Sequence, residues 1–115
     1  MEKQYMENAK QQTNIYIGLN DRETGVQKTD TEKYLLVLKD TCRHYKVSFS
    51  FQLIHGGFFH IDGKYVEENT LMLTLIDVPE DTIMEIAKDL CVFFNQESVM
   101  VVTNPASAII VKESL

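Results

Sequence analysis

The hydrophobic positions change period along the chain, and each change predicts an element. From Asn14 to Leu19 (NIYIGL) they alternate, which puts Ile15, Ile17 and Leu19 on one side of a strand. Gly18 leaves the other side open to close approach. Leu35, Leu38, Cys42 and Tyr45 then recur at helical spacing. Thr29-Asp30-Thr31-Glu32 reads as a capping box ahead of them, predicting a helix that runs to about Tyr45. Lys33, Lys39, Asp40 and Arg43 lie off the apolar stripe, and His44 sits in the last turn, where a cation suits the helix dipole. Two long β-rich runs follow between Val47 and Asp77, joined at Asp62-Gly63, a strong hairpin signal. Pro79, suited to a first helical position, opens a second helix with acidic residues in its first turn. Its buried face is Ile83, Ile86, Ala87, Leu90 and Phe94, and Asn95-Gln96 ends it. Ser98 to Thr103 (SVMVVT) reads as the last core strand. Asn104-Pro105 should break it, leaving Ala106 to Val111 (ASAIIV) as an extra C-terminal edge strand. Residues 1–12 are polar and without period, an expected disordered arm before one domain spanning residues 13–115.

The hairpin carries a parity problem. Phe49, Phe51 and Leu53 share one face of its first strand, and Leu71, Leu73 and Leu75 share one face of its second. A two-residue loop at Asp62-Gly63 would set odd positions opposite even ones, placing Phe51 against Thr74. Both apolar sets reach one core only if a bulge sits at Gly56-Gly57 or the loop around Asp62 is longer.

The order β-α-β-β-α-β predicts an α+β fold of the ferredoxin-like kind, an antiparallel sheet with both helices on one face. The open face is not strongly polar. Tyr16, Ile54, Met72, Ile76, Met100 and Val102 alternate onto it, and such a patch marks an interface. A homodimer or higher homo-oligomer packed through this sheet face is therefore expected, and the tail strand could also pair between subunits.

Composition narrows the classes. With 44% hydrophobic and 24% charged residues, the chain can bury one core without metals or disulfides. A net charge of −6 argues against a nucleic-acid surface and allows a basic partner. No apolar run suits a membrane span, and the N-terminus has no signal-peptide core, so the expected location is cytoplasmic. Cys42 and Cys91 read as two buried free thiols. From Asp77 to Glu97, six acids (Asp77, Glu80, Asp81, Glu85, Asp89, Glu97) face Lys88 alone, a local charge of −5. This is either a solvated helix face or a docking surface for a basic partner, with Glu80, Asp81, Glu85 and Asp89 as its residues.

Candidate chemistry gathers near the hairpin tip. His55, His60, Glu67 and Glu68 could give a His–Glu pair, and Gly56-Gly57 ahead of Phe58-Phe59 could form a lip over a ligand. These six residues, His55, Gly56, Gly57, His60, Glu67 and Glu68, are the candidate ligand-binding set. His55 and His60 fall on opposite faces of a regular strand, and no third ligand stands at metal spacing, so neither a metal nor a cofactor is expected. The glycines match no phosphate loop, and no serine sits in a nucleophile elbow. Asn20, Asp21 and Glu23 are an incomplete fragment of a calcium loop and read as a solvated turn.

IYIGLNDRETG (Ile15 to Gly25), ENTLMLTLIDV (Glu68 to Val78) and FFNQESVMVV (Phe93 to Val102) resemble segments of small uncharacterised proteins of Gram-positive bacteria, their phages and mobile elements. The element order is also similar to that of PII-like and CutA-like proteins. That resemblance implies an oligomeric ferredoxin-like fold binding a small ligand or a metal between subunits, without carrying over any functional residue. The expected function is a non-enzymatic oligomeric binding module for a small ligand or protein partner. The alternatives are a phage or mobile-element inhibitor of a host factor, acting through the acidic surface or by effector sequestration, and a small enzyme using His55 or His60.

Overall fold

A computed structural model describes residues 3–113. Its elements are β1 (Lys3–Gly18), α1 (Thr31–Tyr45), β2 (Ser50–Phe59), β3 (Tyr65–Ile76), α2 (Glu80–Phe93) and β4 (Met100–Glu113). The four strands form one antiparallel sheet in the order β2-β3-β1-β4. This is the expected ferredoxin-like α+β arrangement, with the first and third strands of the chain in the interior of the sheet.

Alternation makes the two faces different. Ile15, Ile17, Leu71, Leu73 and Leu75 point to one side and are sealed there by Leu38 and Cys42 of α1 and by Ile83, Ile86 and Leu90 of α2. Both helices thus cover one face. Leu35 and Tyr45, expected in the α1 stripe, pack at the margin of this core, and Phe94 lies inside it. Burial pushes the Cys42 thiol up to about 11. Cys91 is only half-buried and donates its thiol to the Gln96 carbonyl at 3.2 Å.

The hairpin solves its parity in the loop. β2 and β3 stay in register from Ser50↔Thr74 to Phe59↔Tyr65, so Phe51 faces Leu73. The His60 N–H donates to the Lys64 carbonyl and the Gly63 N–H to the His60 carbonyl. The connection is therefore Ile61-Asp62-Gly63, with Gly63 at a left-handed φ of 88°, the conformation that closes a three-residue hairpin loop. The longer loop is the irregularity present. Gly56 and Gly57 remain paired with Glu68 and Glu67, not bulged.

Three other expectations change. α1 starts one residue later than a Thr29 cap implies: Asp30 is the N-cap and makes no side-chain cap bond. The Gln27 amide explains this, because it donates to the Thr29 carbonyl at 2.9 Å and to the Thr31 hydroxyl at 3.1 Å. Pro79 is likewise the N-cap of α2 and not its first residue. β1 and β4 are longer than expected. From residue 3 the polar N-terminal stretch continues β1, and residues 106–111 continue β4 instead of forming a separate strand. Pro105 does not break β4, because its partner Gln11 turns its carbonyl toward Asp77 on the β3 side. Pro105 therefore occupies a pair without ladder bonds, and its missing N–H faces the free edge. β3 ends opposite Gln12, so the outer halves of β1 and β4 project as a two-stranded ribbon, and the molecule measures 60 × 28 × 26 Å. No helix among the described residues is long and apolar enough to cross a membrane.

Candidate functional site

The open face of the sheet deepens into a groove of about 630 Å³ where β1 ends. Tyr16, Ile54 and Met100 supply an apolar floor from three strands, and Phe58 and Val66 extend it along the hairpin. The loops following β1 and α2 wall the other side through Asn20, Arg22, Gln96 and Ser98.

Glu68 is the centre of this arrangement. Strand alternation puts it on the open face, diagonal to Gly18 of β1 and opposite Gly56 of β2. Neither neighbour has a side chain, so the carboxylate lies over bare backbone. A Cβ at Gly18 would stand 2.4 Å from Glu68 Oε2, so a side chain here would push the carboxylate aside. The Asn20 N–H donates to the same Oε2 at 3.0 Å, and the Asn20 amide donates to the Glu67 carbonyl at 3.1 Å. These bonds fix the carboxylate through one oxygen. The other has no hydrogen-bond partner among the described residues. The close approach that Gly18 permits is that of an acid.

The loop walls are clamped by a second acid. Asp21 is 3% exposed, not the solvated turn residue expected. Its Oδ2 accepts from the Asn95 amide at 2.7 Å and lies 3.2 Å from Lys28 Nζ, while its Oδ1 accepts the backbone N–H groups of Glu23 and Thr24. The Asn95 bond foremost, with the two backbone donors and Lys28, holds its carboxyl well below the usual carboxylate range, against the opposing effect of burial. Gln96 reinforces the clamp by donating to the Asn20 carbonyl at 2.6 Å. Residues far apart in sequence thus set the backbone that presents the Asn20 N–H to Glu68.

The structure divides the residues expected at the hairpin tip between two faces. Gly56, His60 and Glu68 line the groove. His55, Gly57 and Glu67 point to the opposite face. There His55 Nδ1 bonds Asn69 Oδ1 at 2.8 Å, and its Nε2 lies 3.6 Å from Glu67. Because the Asn69 amide nitrogen already donates to Gln27, its oxygen accepts, so His55 carries its proton on Nδ1. The Asn69 bond, then Glu67, raises the His55 pKa. Gly57 makes room for the Tyr65 side chain, whose hydroxyl would meet a Cβ at 2.2 Å. Among the described residues no three His, Cys, Asp or Glu side chains converge as a metal site. On α2, Glu80, Asp81 and Glu85 are exposed, whereas half-buried Asp89 accepts the Tyr45 hydroxyl at 2.5 Å. That bond and burial push the Tyr45 phenol up to about 12. Sequence reasoning missed Asn20, Arg22, Thr70, Gln96 and Ser98 as groove residues. Gly18 within an otherwise regular strand was the one local signal.

No protein-family model matches the chain, and no curated protein matches it. Solved structures do. A phage SAM lyase in complex with S-methyl-5'-thioadenosine is 19% identical with a TM-score of 0.65, covering 90% of this chain and 90% of that one. B. subtilis GlnK in its ATP complex is 15% identical with a TM-score of 0.56, covering 85% of this chain and 82% of that one. CutA from Synechococcus elongatus is 6% identical with a TM-score of 0.59, covering 91% of this chain and 85% of that one. At these identities the likeness establishes the fold.

Proposed function

We propose that the groove around Glu68 binds a small, positively charged adenosyl compound of the S-adenosylmethionine class. The observation that carries this reading is the Glu68 carboxylate, anchored through one oxygen in the space that Gly18 leaves empty. Its charge selects the ligand. Among the described lining residues Arg22 is the one Lys or Arg, against Asp21, Glu68 and Glu97. A polyphosphate needs several cations, and a site of this sign favours a cation instead. The apolar floor suits a flat base, and the size is that of an ordinary small-molecule site. The structural neighbours support the adenosyl part, since one holds S-methyl-5'-thioadenosine and another ATP.

Titration calorimetry with S-adenosylmethionine, S-methyl-5'-thioadenosine and ATP tests the reading. S-adenosylmethionine should bind most tightly. Glu68→Gln should weaken it roughly tenfold to a hundredfold, the scale of a hydrogen bond to a charged group. Tighter binding of ATP, or an unchanged affinity for Glu68→Gln, would overturn it.

The same geometry favours one second reading, that the bound compound is cleaved. A carboxylate held by one oxygen can take a hydrogen bond or proton from a substrate with the other, and His60 stands at the rim as another titratable group. Release of S-methyl-5'-thioadenosine from S-adenosylmethionine, together with the unsaturated four-carbon amino acid left when Glu68 takes the proton beside the breaking carbon–sulfur bond, abolished in Glu68→Gln, would replace the binding reading with this one. Either activity would remove a ligand from host factors that need it, the sequestration form of a phage or mobile-element inhibitor.

The apolar open face further leads us to a homo-oligomer, a dimer or larger, in which another copy closes the groove over the ligand on Tyr16, Ile54 and Met100 and packs directly on Met72 and Ile76 beside it. Native mass spectrometry reads the subunit count, and a clean monomer would remove this part of the proposal.

A further inference from the structure

We propose that the cleft between the two helices, on the side of the molecule away from the groove, docks a basic amphipathic helix of a partner protein. This inference is independent of the ligand reading. The cleft encloses about 570 Å³ between Val37, Asp40, Thr41 and His44 of α1 and Asp89 and Phe93 of α2. The α1 residues recur at helical spacing and form one row, and Glu85, Asp89 and Phe93 form a facing row on α2. Two such rows make a channel into which a third helix fits by its own ridges.

Apolar surface surrounds the channel. Phe93 is 58% exposed, and Leu36 and Val92, each beside a lining residue, are also exposed. Large apolar side chains left uncovered together beside a cleft are a contact surface in want of a partner. The sign of the partner follows from the acids. Asp40 and Asp89 line the cleft and Glu85 continues the Asp89 row on α2, outnumbering Lys33, which precedes Val37 by one turn in the α1 row. Asp40 has Arg43 at 3.6 Å on the exposed surface, a weak pairing that a partner's cation can displace. Asp89 uses Oδ2 for Tyr45 and has no partner for Oδ1 among the described residues. An occupant with an apolar row toward Val37 and Phe93, and Lys or Arg on both sides of it, satisfies both features together.

The test is fluorescence anisotropy with a labelled Leu/Lys peptide that forms an amphipathic helix, beside a scrambled peptide of the same composition. The helical peptide should bind at least about tenfold more tightly than the scrambled one, and more weakly as salt rises. Phe93→Ser should remove that preference, and Glu85→Lys should weaken the helical peptide. Phe93 is largely exposed, so both variants should keep the wild-type melting temperature and groove ligand. Equal binding of the two peptides would reduce the surface to bare charge and overturn the proposal, as would an unchanged affinity in Phe93→Ser. If instead Phe93→Ser lowers the subunit count and neither peptide binds, the cleft is a contact between copies of this chain, and the proposal fails.

Discussion

The two faces of the sheet are built from alternate residues of the same strands, yet they do different work. On the covered face Ile15, Ile17, Leu71 and Leu73 are wholly buried beneath two helices. One residue along each strand, the open face presents Tyr16, Gly18, Met72 and Glu68. Asn14 and Thr74, hydrogen-bonded at 2.9 Å, share that face farther from the groove. Beneath the helices the covered face is apolar apart from buried Thr13, so apolar burial explains it. The open face mixes apolar, bare and charged positions, and its character depends on loops that reach over it. A strand's stability and its chemistry can therefore be changed separately, by substitutions one position apart.

The largest expected effect is on the covered side. Leu73→Ala should lower unfolding free energy by about 2–5 kcal/mol, as a fully buried leucine truncation does, measured by urea denaturation. The folded fraction should retain its ligand affinity. If affinity falls along with stability, the separation of the two faces is broken.

On the open side, Gly18→Ala should leave the fold but displace Glu68, costing roughly tenfold in affinity for S-adenosylmethionine, about 1.4 kcal/mol, by calorimetry. Gly56→Ala is the sharper control. It flanks the same carboxylate but a Cβ there meets nothing within 4 Å, so its affinity should stay at the wild-type value.

The loop clamp links both sides, and its signature is pH. Asp21 titrates below its ordinary 3.8 in the folded protein. Its stabilisation is therefore complete above about pH 4 and is lost as pH falls toward the depressed folded value. Thermal melts should show that the wild type loses more stability between about pH 4 and pH 2 than Asp21→Asn, which is weaker at neutral pH but flatter below. Parallel curves would remove the clamp. The smallest change in subunit stability should come from Met100→Lys. Its side chain is 57% exposed, so the subunit should unfold as before while its assembly, read by native mass spectrometry, is reduced.

The covered face was legible because alternation and helical spacing are local. Every apolar residue expected on α2, from Ile83 to Phe94, is buried. Parity also forced an irregularity at Gly56-Gly57 or the hairpin loop, and the loop has it. The groove was legible only in fragments. Gly56, His60 and Glu68 were expected together with His55, Gly57 and Glu67, because nearness in sequence does not say which side of a strand a residue takes. Asn20 and Gln96 were missed because their bonds span long separations and use backbone groups that no side-chain pattern records. The capping box at Thr29 failed for a related reason. A side chain from the preceding loop, Gln27, engages the Thr29 carbonyl and the Thr31 hydroxyl at the helix start. Pro105 misled because its effect depends on which edge its nitrogen faces, a property of the neighbouring strand.

The bonds that join Asn95 to Asp21 and Gln96 to Asn20 also impose an order in time. Hydrogen bonds across 74 and 76 residues close late, because long loops lose more entropy than short ones before any contact rewards them. Glu68, Gly18 and the fully buried core residues up to Phe94 all precede Asn95 and Gln96 in the chain, so the side chains that fix the neighbouring loop are the last of this set to be made. A species stalled after α2 would look folded by its helices and still have no finished site.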